Sequence, residues 1–171
     1  MNSITQEVIV LGVDPGLEVT GYGVVSFRGR TVRLIEGGTI RGGAGSLPLP
    51  ARLRNLFEGL TTVISVQKPD AMAIEQLYSH YAHPRTAILM GHARGVLSLA
   101  ASLQGVAVFD YAATEVKSSL TGNGRASKQQ MQRAIQATLR LDHTPEPADV
   151  ADALAVALCH AHRTQEQASF G

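Results

Sequence analysis

The chain has 171 residues, 44% of them hydrophobic, enough for one domain with a real core and too little for two large lobes. A single cysteine excludes an intrachain disulfide framework and fits a reducing compartment. The N-terminus has neither the basic start nor the apolar stretch of a signal peptide, and no run reaches the ~18–20 uncharged apolar residues of a membrane span, so a cytoplasmic protein without a membrane partner is expected.

Val8-Ile9-Val10-Leu11-Gly12-Val13 is an apolar run ending on Asp14, the pattern of a buried strand over residues 7–14. Pro15-Gly16 turns the chain. Residues 20–27 and 31–40 read as two further strands joined by Arg28-Gly29-Arg30, and connections this short imply an antiparallel meander. After a glycine-rich loop at 42–46, Leu53, Leu56, Phe57, Leu60, Val63 and Ile64 recur at helical spacing across 50–66. Ala71-Met72-Ala73-Ile74 is a fourth strand, ending on Glu75. Pro84 opens a long helix, as proline does at a first turn. Its stretch from Ile88 to Leu97 is apolar on more than one side, so burial against the sheet and against something else is expected. Residues 106–109 give a fifth strand, 113–120 a short helix, Gly122-Asn123-Gly124 a loop, and 127–139 and 147–162 the last two helices. This order predicts an α/β fold, a five-stranded mixed sheet whose first three strands are antiparallel, flanked by helices. Residues 1–171 read as a single domain, with 1–6 and 164–171 as flexible tails.

Four carboxylates restrict the chemistry most. Open α/β sheets collect ligands at strand ends, where Asp14 and Glu75 stand. Asp149 and Asp152, three apart in the first turn of the last helix, share a face. Acidic residues at a helix start offset the macrodipole, which accounts for one of them. The small residues around them, Ala151, Ala153 and Ala155, would let the helix press on a sheet and carry both carboxylates towards it. An all-oxygen set without Cys or His at ligand spacing suits a hard cation, Mg²⁺ or Mn²⁺. Two such ions can promote an in-line phosphoryl displacement. Asp14 on the central strand would bridge both, with Glu75 and the Asp149/Asp152 pair holding one each or orienting water.

The net charge of +1 conceals a division. Residues 112–140 carry Lys117, Arg125, Lys128, Arg133 and Arg140 against one carboxylate, Glu115, whereas residues 141–171 carry five carboxylates and one arginine. A basic segment before an acidic one suits a metal-dependent enzyme acting on a polyanion; a solvated helix face followed by a solvated loop has the same composition. Lys117 and Lys128 flank the Gly122–Gly124 loop and Arg125 lies in it, as phosphate contacts or as solvated cations. Tyr78, three residues past Glu75, could stack on an unpaired base or cap the core. His143, in the loop before the last helix, is within reach of a proton-shuttle role. Gly91 and Gly95, four apart, allow a close helix approach.

Several of these motifs together carry a resemblance. Gly12-Val13-Asp14-Pro15-Gly16 with Thr20-Gly21-Tyr22-Gly23-Val24, then Ala73-Ile74-Glu75-Gln76, Ala93-Arg94-Gly95 and Ala148-Asp149-Val150-Ala151-Asp152-Ala153-Leu154-Ala155 resemble, in order and over nearly the whole chain, the RuvC Holliday-junction resolvases. The resemblance implies a ribonuclease-H-like fold, a homodimer, dependence on Mg²⁺ (two ions per site, with Mn²⁺ as a substitute), and symmetric cutting of two strands of a four-way DNA junction in recombination and repair. It also implies a partnership with the RuvA/RuvB branch-migration machinery. Carried over by position, Asp14, Glu75, Asp149 and Asp152 match the metal-binding acids, Lys117 and Lys128 the basic residues near the scissile phosphate, and Tyr78 an aromatic contact to bases at the junction centre. The chain departs from the pattern in a few extra residues before the first strand and in Tyr at position 78, where Phe also occurs.

Three other readings compete. Asp14-Pro15-Gly16 followed by glycines also opens the phosphate hairpin of actin-like ATPases and sugar kinases, but those need a second lobe that 171 residues cannot supply. A ribonuclease-H-like nuclease acting on RNA or another branched nucleic acid would use the same acids. A non-catalytic junction binder would gain nothing from four negative groups facing phosphate.

Overall fold

The computed structural model describes residues 6–77 and 83–169. Ten elements follow in order: β1 (Val8–Asp14), β2 (Val19–Arg28), β3 (Thr31–Arg41), α1 (Leu49–Gln67), β4 (Ala71–Glu75), α2 (Pro84–Leu103), β5 (Ala107–Tyr111), α3 (Ala113–Thr121), α4 (Lys128–Leu139) and α5 (Ala148–Ser169). The sheet order is β3-β2-β1-β4-β5. β1, β2 and β3 pair antiparallel, and β4 and β5 extend the sheet in parallel with β1. The five-stranded mixed sheet with an antiparallel start is therefore present, with β1 at its centre.

Alternation along the strands separates two cores. Leu11 and Val13 of β1 pack with Leu56, Leu60 and Ile64 of α1, Met72 of β4 and Ala93, Leu97 and Ala100 of α2. Val10 of β1, with Val25 and Phe27 of β2, packs on the other side against Leu154, Leu158 and the alanines of α5, with Ile135 and Leu139 of α4 alongside. α5 lies so close to the sheet that a Cβ added at Gly12 would run into the Ala153 carbonyl, and one added at Gly21 into the Asp149 carbonyl. Glycine is required at both positions because helix backbone occupies the side-chain space.

Three boundaries and faces depart from the sequence pattern. β5 runs on to Tyr111, because the Asp110 side chain is held by Arg94 and Tyr111 turns back into the core, its hydroxyl 2.7 Å from His160 Nδ1. α5 continues through residues expected to form a tail; no helix breaker intervenes before Gly171, and Gln165 donates to the Gly29 carbonyl at 2.7 Å. α2 buries one face against α1 and β5. Ile88, His92, Gly95, Leu99 and Leu103, spaced along the opposite face, are exposed. By length and composition α2 could cross a membrane, but its inner face belongs to the core and Arg94 is ion-paired.

Candidate active site

Strand register brings the first two carboxylates together. Val13 pairs with Ile74 across the parallel β1–β4 ladder, so Asp14 and Glu75 are the next step on each strand. Asp14 shares the strand face of Val10 and Gly12, and Glu75 that of Ala71 and Ala73, so both project towards α5. Gly21, opposite Asp14 on β2, lies under the backbone of Asp149. The close approach of α5 thus delivers its first turn to the same strand ends, Asp152 following Asp149 on one helical face.

Burial, and after it the charge of their neighbours, raises the proton affinity of Asp14, Glu75 and Asp152. Burial, then the charges of Asp152, Asp149 and Glu75, and last a hydrogen bond with Asp149, push Asp14 from 3.8 up to about 7. Glu75 is raised by burial and by Asp152, while Lys117 pulls it back. Asp152 is raised by desolvation and by Asp149, and Lys128 opposes the shift. Asp152 is also the most solvent-open of the four, so screening weakens its couplings most.

Six of the residues marked in the sequence therefore converge: Asp14, Glu75, Asp149 and Asp152, with Lys117 of α3 acting on Glu75 and Lys128 of α4 acting on Asp152. Arg125 is exposed in the turn before α4, its N–H donating to Asn123 Oδ1 at 2.9 Å, and it is not among the charges that shift these carboxylates. His143 lines a separate cavity of about 570 Å³ with Gln136, Asp142, Thr144 and Glu146. Tyr78 lies outside the described residues.

Among the described residues, no three Asp, Glu, His or Cys side chains stand in a ready-made cage for an ion. The chemistry of the donors nevertheless fits a divalent cation. They are hard oxygens from three elements, and burial, with their mutual repulsion added to it, leaves Asp14 holding a proton near neutrality, a state that a nearby 2+ charge reverses.

The family described as crossover junction endodeoxyribonuclease RuvC matches residues 10–160. This chain belongs to the RuvC family. The RuvC of Rhodopirellula baltica is 55% identical over 150 residues, covering 88% of this chain and 84% of that one. The RuvC of Desulforamulus reducens is 44% identical over 163 residues, covering 95% and 97%. Among solved structures, Thermus thermophilus RuvC in complex with Holliday junction substrate superposes with a TM-score of 0.89 at 31% identity, over 94% of this chain and 97% of that one. The yeast mitochondrial resolvase Ydc2, at 16% identity and a TM-score of 0.68 over 94% and 80%, shares the fold. The fold is thus the ribonuclease-H-like one of the RuvC proteins, and the activity is that of a junction-resolving endodeoxyribonuclease. The ATPase and pure-binder readings are set aside.

Arg94, within the Ala93-Arg94-Gly95 motif, has no role legible from the sequence. Its Nε donates to the Glu75 carbonyl at 3.3 Å and its guanidinium pairs with Asp110. The available signal was a lone arginine in the middle of an apolar helix.

Proposed function

We propose that Asp14, Glu75, Asp149 and Asp152 hold divalent cations, Mg²⁺ with two ions per site, and that the chain uses them to hydrolyse one phosphodiester in each of two opposed strands of a four-way DNA junction. When bound, the cations supply Lewis-acid activation of the attacking water and neutralise charge at the phosphate during in-line displacement. Asp14, flanked by Glu75 and by the Asp149/Asp152 pair, would hold the cations together with them. Lys117 faces the phosphate beside Glu75 and offsets the charge that grows on its oxygens; Lys128 does the same on the Asp152 side. Arg125 and Tyr78 contact DNA further out, the first at a phosphate and the second by stacking. The observation that supports this reading is the convergence of four acids from β1, β4 and α5, with two lysines at the rim.

A twofold substrate needs two sites, which an isologous homodimer supplies. The uncovered stripe Ile88, His92, Gly95, Leu99 and Leu103 on α2 supports that face as the contact, since nothing lies within 4 Å of where a Gly95 Cβ would sit. The chain works as a single nuclease domain, in the cytoplasm, together with RuvA/RuvB.

Incubating the protein with a synthetic four-way junction, a plain duplex and an RNA–DNA hybrid, each with and without Mg²⁺, tests the proposal. Paired cuts in the junction that require Mg²⁺ are expected. Equal cutting of all three, or cutting in EDTA, contradicts it. Leu99→Glu is expected to shift sedimentation towards monomer and to uncouple the two cuts; an unchanged dimer places the interface elsewhere.

A further inference from the structure

Glu75 must project from the last residue of a short strand with its carboxylate held towards α5. The ladder fixes one side of that residue: β4 and β5 remain paired through Glu75 and Tyr111, and the Gln76 N–H donates to the Tyr111 carbonyl at 2.8 Å. On the opposite face of the sheet Arg94 reaches up from α2. Its Nε donates to the Glu75 carbonyl at 3.3 Å, and its Nη2 pairs with the carboxylate of Asp110, the residue beside Ile74 on β5. Among the described residues no other hydrogen bond joins α2 to β4. The Arg94 side chain is 21% exposed and that of Asp110 48%, so the ion pair itself is screened by solvent, and the part-buried bond to the Glu75 carbonyl is the contact that bears on the site.

We propose that Arg94 is a positioning residue for Glu75. One planar fork spans the ends of β4 and β5 and fixes the main chain of Glu75, so that its side chain meets Asp14 and Asp152 from the other face of the sheet. The inference rests on the reading of Glu75 as a cation ligand. It adds a structural consequence: α2, the helix with the uncovered apolar face, is tied directly to a catalytic strand end. A lysine could still neutralise Asp110, but its single ammonium has no fork with which to hold the carbonyl as well.

The test uses Arg94→Lys and Arg94→Ala in the full chain, read by Mg²⁺ or Mn²⁺ binding to DNA-free protein, by single-turnover cutting of a four-way junction, by junction affinity and by thermal unfolding. Arg94→Lys is expected to unfold close to wild type and to bind the junction within about twofold, yet to bind metal several-fold more weakly and to cut about tenfold more slowly. Arg94→Ala is expected to do the same more severely. In a Glu75→Gln background the further change Arg94→Lys should leave metal binding unaltered, because the side chain it positions is gone. The proposal is overturned if Arg94→Lys matches wild type in metal binding and cutting, or if its effect persists in full in the Glu75→Gln background. Failure of wild type to cut the junction in Mg²⁺ would instead overturn the reading of the site.

Discussion

The two faces of the sheet are built on opposite terms, and β1 shows both in seven residues. On one face Leu11 and Val13 are large, wholly buried and surrounded by Leu56, Leu60 and Met72. On the other, Val10 gives way to Gly12 and then Asp14, under a helix that presents Ala153 and Ala157. Beside β1 the first face gains stability from apolar area. The second gives up side-chain volume so that helix backbone can reach strand backbone, and the gap closes where four carboxylates meet. Both faces carry a core, since Phe27, Leu154 and Leu158 are buried on the second as well, but along β1 the chemistry stands on that second side alone.

The largest expected effect breaks that division from the catalytic side. Asp14→Asn should lower single-turnover junction cutting by at least about 10³-fold, while junction binding persists or tightens because repulsion of phosphate falls. Leu60→Ala should do the reverse, costing about 2–5 kcal/mol in denaturant unfolding and leaving the cutting rate per folded molecule unchanged. Gly21→Ala attacks the seam between the two regimes. Its new methyl meets the Asp149 carbonyl, so both readouts should move together: about 1–3 kcal/mol of stability from overpacking and tenfold or more in cutting, as α5 is displaced.

A smaller effect concerns pH. Asp14 is raised from 3.8 to about 7 in the fold, so the folded state holds its proton more tightly than the unfolded chain does. Below about pH 4 both states are protonated and there is no penalty; stability is lost as pH rises through the window and the loss is complete above about pH 7. Without divalent ions, wild type should therefore fall behind Asp14→Asn by about 1–3 kcal/mol between pH 4 and pH 8, at roughly 1.4 kcal/mol per unit reduced by relaxation and screening. A constant difference across that range would remove Asp14 as the source. Least of all, Lys117→Ala should lower the slope of log affinity for the junction against log salt by about one unit. An unchanged slope would mean that Lys117 does not touch phosphate.

The strand ends carrying Asp14 and Glu75 were legible because an apolar run that stops on an acid is a local signal. The small residues around Asp152 likewise announced a close helix. What the sequence hid is non-local. The placement of β1 between β2 and β4, which makes Asp14 and Glu75 neighbours, comes from pairing that no short window encodes. Asp110 looked like the end of a strand because its charge has no visible partner until α2 brings Arg94 beside it. The last helix ran past its expected end because a bond to the β2–β3 turn, 136 residues away, steadies it. Lys117 stands out in the sequence as a phosphate contact, but its pairing with Glu75 in particular comes from the docking of α3.

The carboxylates share one site in which burial first, and their mutual repulsion second, disfavours their charge, and a divalent cation relieves that cost. Thermal unfolding of wild type and of Asp14→Asn at pH 8, each with and without Mg²⁺, tests it directly. The account predicts that Asp14→Asn is the more stable protein without the ion, and that Mg²⁺ raises the unfolding temperature of wild type well beyond that of the variant. Equal unfolding temperatures without Mg²⁺, or an equal rise in both proteins with it, would contradict the claim.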